Sequence, residues 1–235
     1  MQARGGRQPV GSSLRSAVTS VGLSGQRGID ASVGRPELAA TLVGGVLLAS
    51  CLCLAVAPAL MPEPYSLVEQ AISDTAAQGV ARAWVARFGF VLSALAILLL
   101  ARSRARSWGP WGRSAHRVYA ILVVGLATFS QRPWTGSSFN EFENLAHSIL
   151  APTAGVVFTA GVVLVSLHRV PKDRVARTFD GFTIVAMILL PIVMLGVSGL
   201  DGAAQRTAVA IGYLWYASEI LRLARAGTQL PPALR

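Results

Sequence analysis

The sequence predicts an all-α polytopic membrane protein, a six-transmembrane-helix bundle with both termini in the cytoplasm. Three observations carry this. The 235 residues are 53% hydrophobic and only 14% charged, with a mean hydropathy of +0.53, which is too apolar for an ordinary soluble domain. Several apolar runs approach the roughly 20 residues that span a bilayer core. The basic residues, nearly all arginine, fall in alternate loops.

Residues 1–35 are rich in Gly, Ser, Gln and Arg and show no apolar period, so they read as a disordered basic cytoplasmic tail. The membrane domain covers 36–226, with spans at about 37–60, 82–101, 115–133, 144–167, 180–200 and 206–224. Pro152 and Pro191 fall inside spans, where a missing N–H kinks a helix and leaves carbonyls for neighbours to satisfy. Residues 227–235 form a short cytoplasmic tail. Cys51 and Cys53 lie two apart on the first span and point to different sides, so they read as buried, inert thiols. The "LASC" at Leu48–Cys51 has the form of a lipoprotein cleavage box, but the run continues apolar through Leu60, as a span does.

Arginines crowd the tail (Arg4, Arg7, Arg15, Arg27, Arg35), the loop after the second span (Arg102, Arg104, Arg106, Arg113, Arg117), the loop after the fourth (Arg169, Lys172, Arg174, Arg177) and the C-terminal end (Arg222, Arg225, Arg235). The alternate loops 61–81, 134–143 and 201–205 are acidic or mixed. Basic loops stay cytoplasmic, so the alternation places both termini inside. The same argument removes nucleic acid as the reason for the net charge of +10. His116 and His168 fall in basic loops and read as solvated, and Glu219 reads as a structural partner of Arg222 at i+3. The centres of the spans are almost free of charge, and no repeat relates the two halves, which counts against a transporter.

The polar residues outside are more varied. "YSLVEQAISDTAAQG" (Tyr65–Gly79) follows Pro64, a residue suited to a first helical turn. Wound as a helix over about 65–78, it has Leu67, Val68, Ala71, Ile72 and Thr75 on one side and Ser66, Gln70, Ser73 and Asp74 on the other, an amphipathic helix lying at the interface. In "QRPWTGSSFNEFENLAHS", Asn140, Glu143 and His147 share one helical face, and Glu143 can orient or protonate His147 at i+4. Arg206 opens the last span, and it, Arg87 and Arg132 can each snorkel to the headgroups. The outer end thus collects Ser66, Glu69, Ser73, Asp74, Arg87, Arg132, Glu143, His147, Asp201 and Arg206.

This arrangement resembles the domain-of-unknown-function 998 family of multi-pass membrane proteins over about residues 37–225. "YSLVEQAISDTAA" is similar to that family's Y-S-x5-I-S-[DE]-L-G-A pattern, His147 opens the fourth span, and "GAAQRTAVAIGYLW" is similar to its G-x-x-Q/E-R start of the last span. Thr75 and Ala76 depart from the pattern's Leu and Gly, and "ATFSQRPW" replaces a G-x-F-P type turn. The resemblance implies a six-span bundle and a shared polar site at Tyr65, Ser73, Asp74, His147 and Arg206.

Two functions follow. One is a non-enzymatic binding, lipid-interacting or sensing protein of the bacterial plasma membrane, with Tyr65, Ser73, Asp74, Glu143, His147 and Arg206 as its binding residues and membrane lipids as its partners. The alternative is an extracytoplasmic-facing lipid hydrolase or transferase with Ser73, Asp74 and His147 as catalytic candidates. Asp74, Glu143 and His147 are the types that could ligate zinc, but one outer histidine is a thin set and no cofactor is expected. Neither G-x-S-x-G nor H-E-x-x-H occurs.

Overall fold

In a computed structural model the chain is described over residues 35–169 and 173–228. The expected tails over 1–34 and 229–235, and Lys172, lie outside the described residues. Among the described residues there are six α-helices and no strand: α1 (Arg35–Val56), α2 (Trp84–Ser103), α3 (Gly109–Thr128), α4 (Glu141–His168), α5 (Arg174–Gly196) and α6 (Asp201–Thr228). Four segments are long and apolar enough to cross a membrane: Pro36–Leu60, Trp84–Ser103, Glu141–His168 and Arg174–Gly196. The helices α3 and α6 are less apolar because their turns at one end carry charged and aromatic side chains such as Arg113, His116, Glu219 and Arg222.

Each helix packs on its neighbour in the chain, and α6 packs back on α1, so the six close into a ring. Leucines of α1 and Ile188, Leu189 and Ile192 of α5 are exposed, as an outer wall facing lipid requires. The inner wall holds small residues and aromatics. Ser50 of α1 donates to the Gly89 carbonyl of α2 at 2.6 Å and also bonds the Tyr213 hydroxyl of α6, drawing three helices together. Pro152 and Pro191 both lie within continuous helices.

The connections segregate by end. Those after α1, α3 and α5 gather at one end, and those after α2 and α4 at the other, where arginines dominate. At the arginine-rich end Glu219 is fully buried. One carboxylate oxygen accepts from Arg104 at 3.1 and 3.2 Å and from the Trp108 indole at 2.7 Å, and the other from Arg169 at 2.6 Å. Arg169 also forks onto buried Asp180, which takes the Trp215 indole N–H as well. The expected Glu219–Arg222 pair is present at 3.2 Å, but it is one member of this larger network.

Three expectations need correction here. His116 is not solvated: it is fully buried, stacked on Trp215 at 4.9 Å, with Nδ1 bonded to the Tyr216 hydroxyl at 2.9 Å. It lies about two turns into α3, where the ring of helices has already closed. His168 is exposed. Cys51 is exposed on the outward side of α1, and Cys53, on another side of the helix toward Gly89 of α2, is intermediate. Finally, residues 65–78 are not one amphipathic helix. Turns lead into a single 3-10 turn, Ile72–Ala76, flanked by extended Ala71 and Ala77. Leu67 and Val68 are exposed while Ser73 and Thr75 are buried, so a helical face does not describe the segment. Its polar groups are satisfied by neighbouring helix ends instead, which releases it from the helical pattern.

Candidate functional site

The loop-rich end is built on residues 65–78, which drop into the mouth of the ring. Ile72, Ser73, Thr75, Ala76 and Ala77 are buried there. A buried irregular segment must place its backbone polar groups somewhere, and three helix ends receive them.

The first is the start of α6. The opening N–H groups of a helix have no partner within it; those of Gly202 and Ala203 donate to the carbonyls of Glu69 (3.2 Å) and Val68 (3.0 Å). Arg206 donates to the carbonyls of Leu67 (2.7 Å) and Gln70 (2.6 Å) and to the Tyr65 hydroxyl. Gln205 accepts from the Ser73 N–H at 3.2 Å. A Cβ on Gly202 would stand 2.7 Å from the Leu67 carbonyl oxygen and closer still to that of Gln70. Only glycine lets the chain approach so near, so each of Gly202, Gln205 and Arg206 in "GAAQR" meets the 65–73 segment.

The second is the turn after α3. Gln131 is the hub: its amide nitrogen donates to Asp74, its amide oxygen accepts from the Ser73 hydroxyl at 3.2 Å, and its backbone carbonyl accepts from the Gln78 N–H at 3.0 Å. Gln78 in turn donates to the Ser130 carbonyl at 2.7 Å and accepts from the Asn140 N–H. The third is the start of α2, where Arg87 donates to the carbonyls of Ala76 (3.1 Å) and Ala77 (3.2 Å) rather than snorkelling.

The helix α4 closes the end. Asn140 caps it by accepting from the N–H groups of Phe142 and Glu143. His147 is buried and its Nδ1 lies 2.9 Å from the Phe129 carbonyl. A carbonyl only accepts, so Nδ1 carries the proton and Nε2 remains an acceptor. Glu143 takes the Ser130 N–H at 3.3 Å. The expected Glu143–His147 pair is therefore not formed: each residue holds a different part of the 129–130 turn. Asn144, which sequence reasoning passed over, accepts from the Arg132 N–H at 2.9 Å.

Two spaces adjoin this scaffold. Below it, a central cavity of about 180 Å³ is lined from all six helices, by Phe90, Tyr119, Phe158, Met187, Val209 and Tyr213 among others, with Ser73, His147 and Gln205 at its loop-rich end. Above it, a polar cleft of about 470 Å³ contains Asp74 and Gln131. Arg206 faces a third hollow beside α1, with Leu67 and Cys51. Asp74, His147 and Arg206 thus do not surround one cavity. The Ser73 hydroxyl is directed at Gln131, with no base bonded to it, so the arrangement lacks the nucleophile–base hydrogen bond of an activated serine.

Burial pushes the Asp74 carboxyl up from its ordinary value, opposed by hydrogen bonds from Ala71 and Gln131 and by the charge of Arg206. Burial likewise raises the Tyr65 phenol against the pull of Arg206. Asp74, Glu143 and His147 do not form a metal site, and among the described residues no group of three or more His, Cys, Asp or Glu does.

Gln78, Gln131 and Gln205 are the functional residues that sequence reasoning missed. An uncharged amide in a loop carries no signal of its own. The one available was the motif: Gln205 stands immediately before Arg206 in the G-x-x-Q-R stretch.

The chain belongs to the family described as "Protein of unknown function (DUF998)", whose pattern matches residues 42–218. Neither a curated protein nor a solved structure matches it.

Proposed function

We propose that this chain is a non-enzymatic lipid-binding protein of the bacterial plasma membrane. In this reading it is a six-span bundle with both termini cytoplasmic that holds a hydrocarbon chain in its central cavity. One observation carries the reading: a cavity of about 180 Å³ with a largely apolar lining, with Ser73, His147 and Gln205 at its loop-rich end and the hydroxyls of Ser93, Tyr119, Tyr213 and Tyr216 spaced along it. An aliphatic cavity of roughly 150 Å³ stays dry and takes up an apolar guest. A bilayer supplies such guests at high concentration. Membrane lipid is already apolar, so moving a chain into the protein gains little by the hydrophobic effect. What favours entry is dispersion contact with a lining that otherwise faces a void, and what selects the guest is the polar end. There the ligand meets Ser73 and His147 directly. Tyr65, Asp74, Glu143 and Arg206 act by holding the segment and the turn that present them. The less apolar helices α3 and α6 count as spans because they complete the ring, and the arginine-rich end faces the cytoplasm by the positive-inside rule.

The test is mass spectrometry of lipids that remain with the protein after exhaustive detergent washing. The native chain is expected to retain a defined lipid. An Ala208→Leu, Gly212→Leu double variant, which fills the cavity from α6, is expected to lose it. Equal lipid retention by both, or none by either, overturns the reading.

A further inference from the structure

The polar cleft above Asp74 is a second space, separated from the central cavity by the Ser73–Gln131–Asp74 hydrogen bonds. Its chemistry is of another kind. Glu69, Asp74, Gln131, Arg132, Trp134 and Asn144 form most of its wall. We propose that this cleft is a binding subsite for a polyhydroxylated group, a sugar or polyol.

The hydrogen bonds already made in the wall dictate what it has left to offer. The Asn144 amide oxygen is taken by the Arg132 N–H, so its NH₂ is the end available to a ligand. The Gln70 amide oxygen, also in the cleft, is taken by the Ser66 N–H, which again leaves an NH₂. Gln131 spends one amide hydrogen on Asp74 and keeps the other. The Asn144 and Gln70 donors are therefore fixed in place by backbone contacts, and the Gln131 donor by the Asp74 and Ser73 side chains. Glu69 and Asp74 supply carboxylate acceptors beside them, and the Ser148 hydroxyl, which donates to the Asn144 carbonyl, keeps its lone pairs. Trp134 is anchored by its indole N–H on the Pro64 carbonyl at 2.9 Å and by an edge contact with Tyr65, so a broad apolar ring stands rigidly in an otherwise polar wall.

Each ligand class demands a different wall. A phosphate accepts only and calls for donors and positive charge; two carboxylates here oppose it. An ammonium donates only and calls for acceptors and aromatic faces; Arg132 and three amide NH₂ groups oppose it. A sugar hydroxyl donates and accepts at once, and its C–H face packs on an indole. The alternation of fixed donors, carboxylate acceptors and one anchored tryptophan fits that class. The assignment stands whether or not the cavity below holds lipid. The sugar could arrive free or as the headgroup of a glycolipid.

The protein is to be studied in polyoxyethylene detergent, since sugar-headed detergents would compete. Thermal shift and tryptophan fluorescence are followed against a panel of methyl glycosides, and separately in nanodiscs with and without a glycosyl diacylglycerol. Saturable stabilisation is expected in at least one arm. Response to the glycolipid alone identifies a headgroup; response to methyl glycosides identifies a free saccharide. Asn144→Ala and Glu69→Gln each remove one contact and are expected to weaken the response about fivefold to tenfold. Trp134→Phe, which also gives up the Pro64 bond, is expected to do the same with only a small drop in the unliganded melting temperature. Choline chloride and inorganic phosphate serve as the competing classes. Stabilisation by either with none from any sugar overturns the proposal, as does silence in both sugar arms.

Discussion

The two ends of the bundle solve the same problem, that of polar groups held away from water, by opposite means. At the arginine-rich end the groups are charged and they consume one another. Glu219 and Asp180 are buried and take guanidinium and indole N–H groups from Arg104, Arg169, Trp108 and Trp215 on both oxygens. Neither carboxylate lines any of the three hollows. At the loop-rich end the groups are mainly neutral amides, hydroxyls and backbone carbonyls, bonded to one another but with donor and acceptor capacity to spare. The central cavity and the polar cleft both open there. A network that is closed upon itself fastens helices. One that is bonded but not exhausted can still recognise something.

The largest effect is expected where charge is buried. Glu219→Ala strands Arg104 and the Trp108 indole N–H and takes one of two carboxylate partners from Arg169 and Arg222, and removal of one partner from a buried ion pair costs about 3–5 kcal/mol. Loss of the monodisperse peak and of the melting transition in detergent is expected. A melting temperature unchanged from the native chain would break the contrast, for it would mean that the arginine-rich end does not fasten the bundle.

At the loop-rich end the changes are expected to be smaller and local. Arg206→Ala leaves the Leu67 and Gln70 carbonyls without their donors, at a cost of about 1–3 kcal/mol. Limited proteolysis should then cut within residues 61–72 while the helices stay intact. Gly202→Ala should give the same cleavage pattern, because its Cβ drives against the same carbonyls. Global unfolding in either variant would show that the two ends are one cooperative unit. Tyr65→Phe, which removes a hydroxyl bonded to Arg206, should cost only about 0.5–1.5 kcal/mol and raise the cleavage rate modestly.

The smallest effect is that of pH. The Asp74 carboxyl is raised in the folded state above its ordinary 3.8. Its protonated form is thus favoured by folding, and the contribution is present at low pH and lost as pH rises through the folded-state value. The proteolysis rate at 61–72 should therefore fall as the medium is acidified from neutrality toward that range. Asp74→Asn should flatten the profile. An unaltered slope in the variant would assign the titration to another group.

The sequence legible as helix was legible for a simple reason: apolar runs of span length separated by arginine clusters leave little choice of class. Even so, α3 and α6 stand apart from the other four, because residues such as His116 and Glu219 look like loop chemistry until the ring closes over them. The loop-rich end was legible only as a collection of residue types. Tyr65, Ser73, Asp74, His147 and Arg206 all lie there, but their partners are Gln131, Gln78, Gln205 and backbone carbonyls. Those partners are 57 and 132 positions away for the Gln131–Asp74 and Gln205–Ser73 bonds, and no local period announces them.

The amino-acid sequence by itself determined the all-α class, the apolar character of the helices and the two chemically distinct sets of loops, since burial preference and charge act residue by residue. Only the tertiary structure decided that 65–78 is a plug rather than a helix, that Glu219 is a hub rather than one half of a pair, and that Asp74, His147 and Arg206 face three different spaces. The physical reason is that a polar group seeks whichever partner the fold brings within about 3 Å, and which partner that is depends on the closing of the ring.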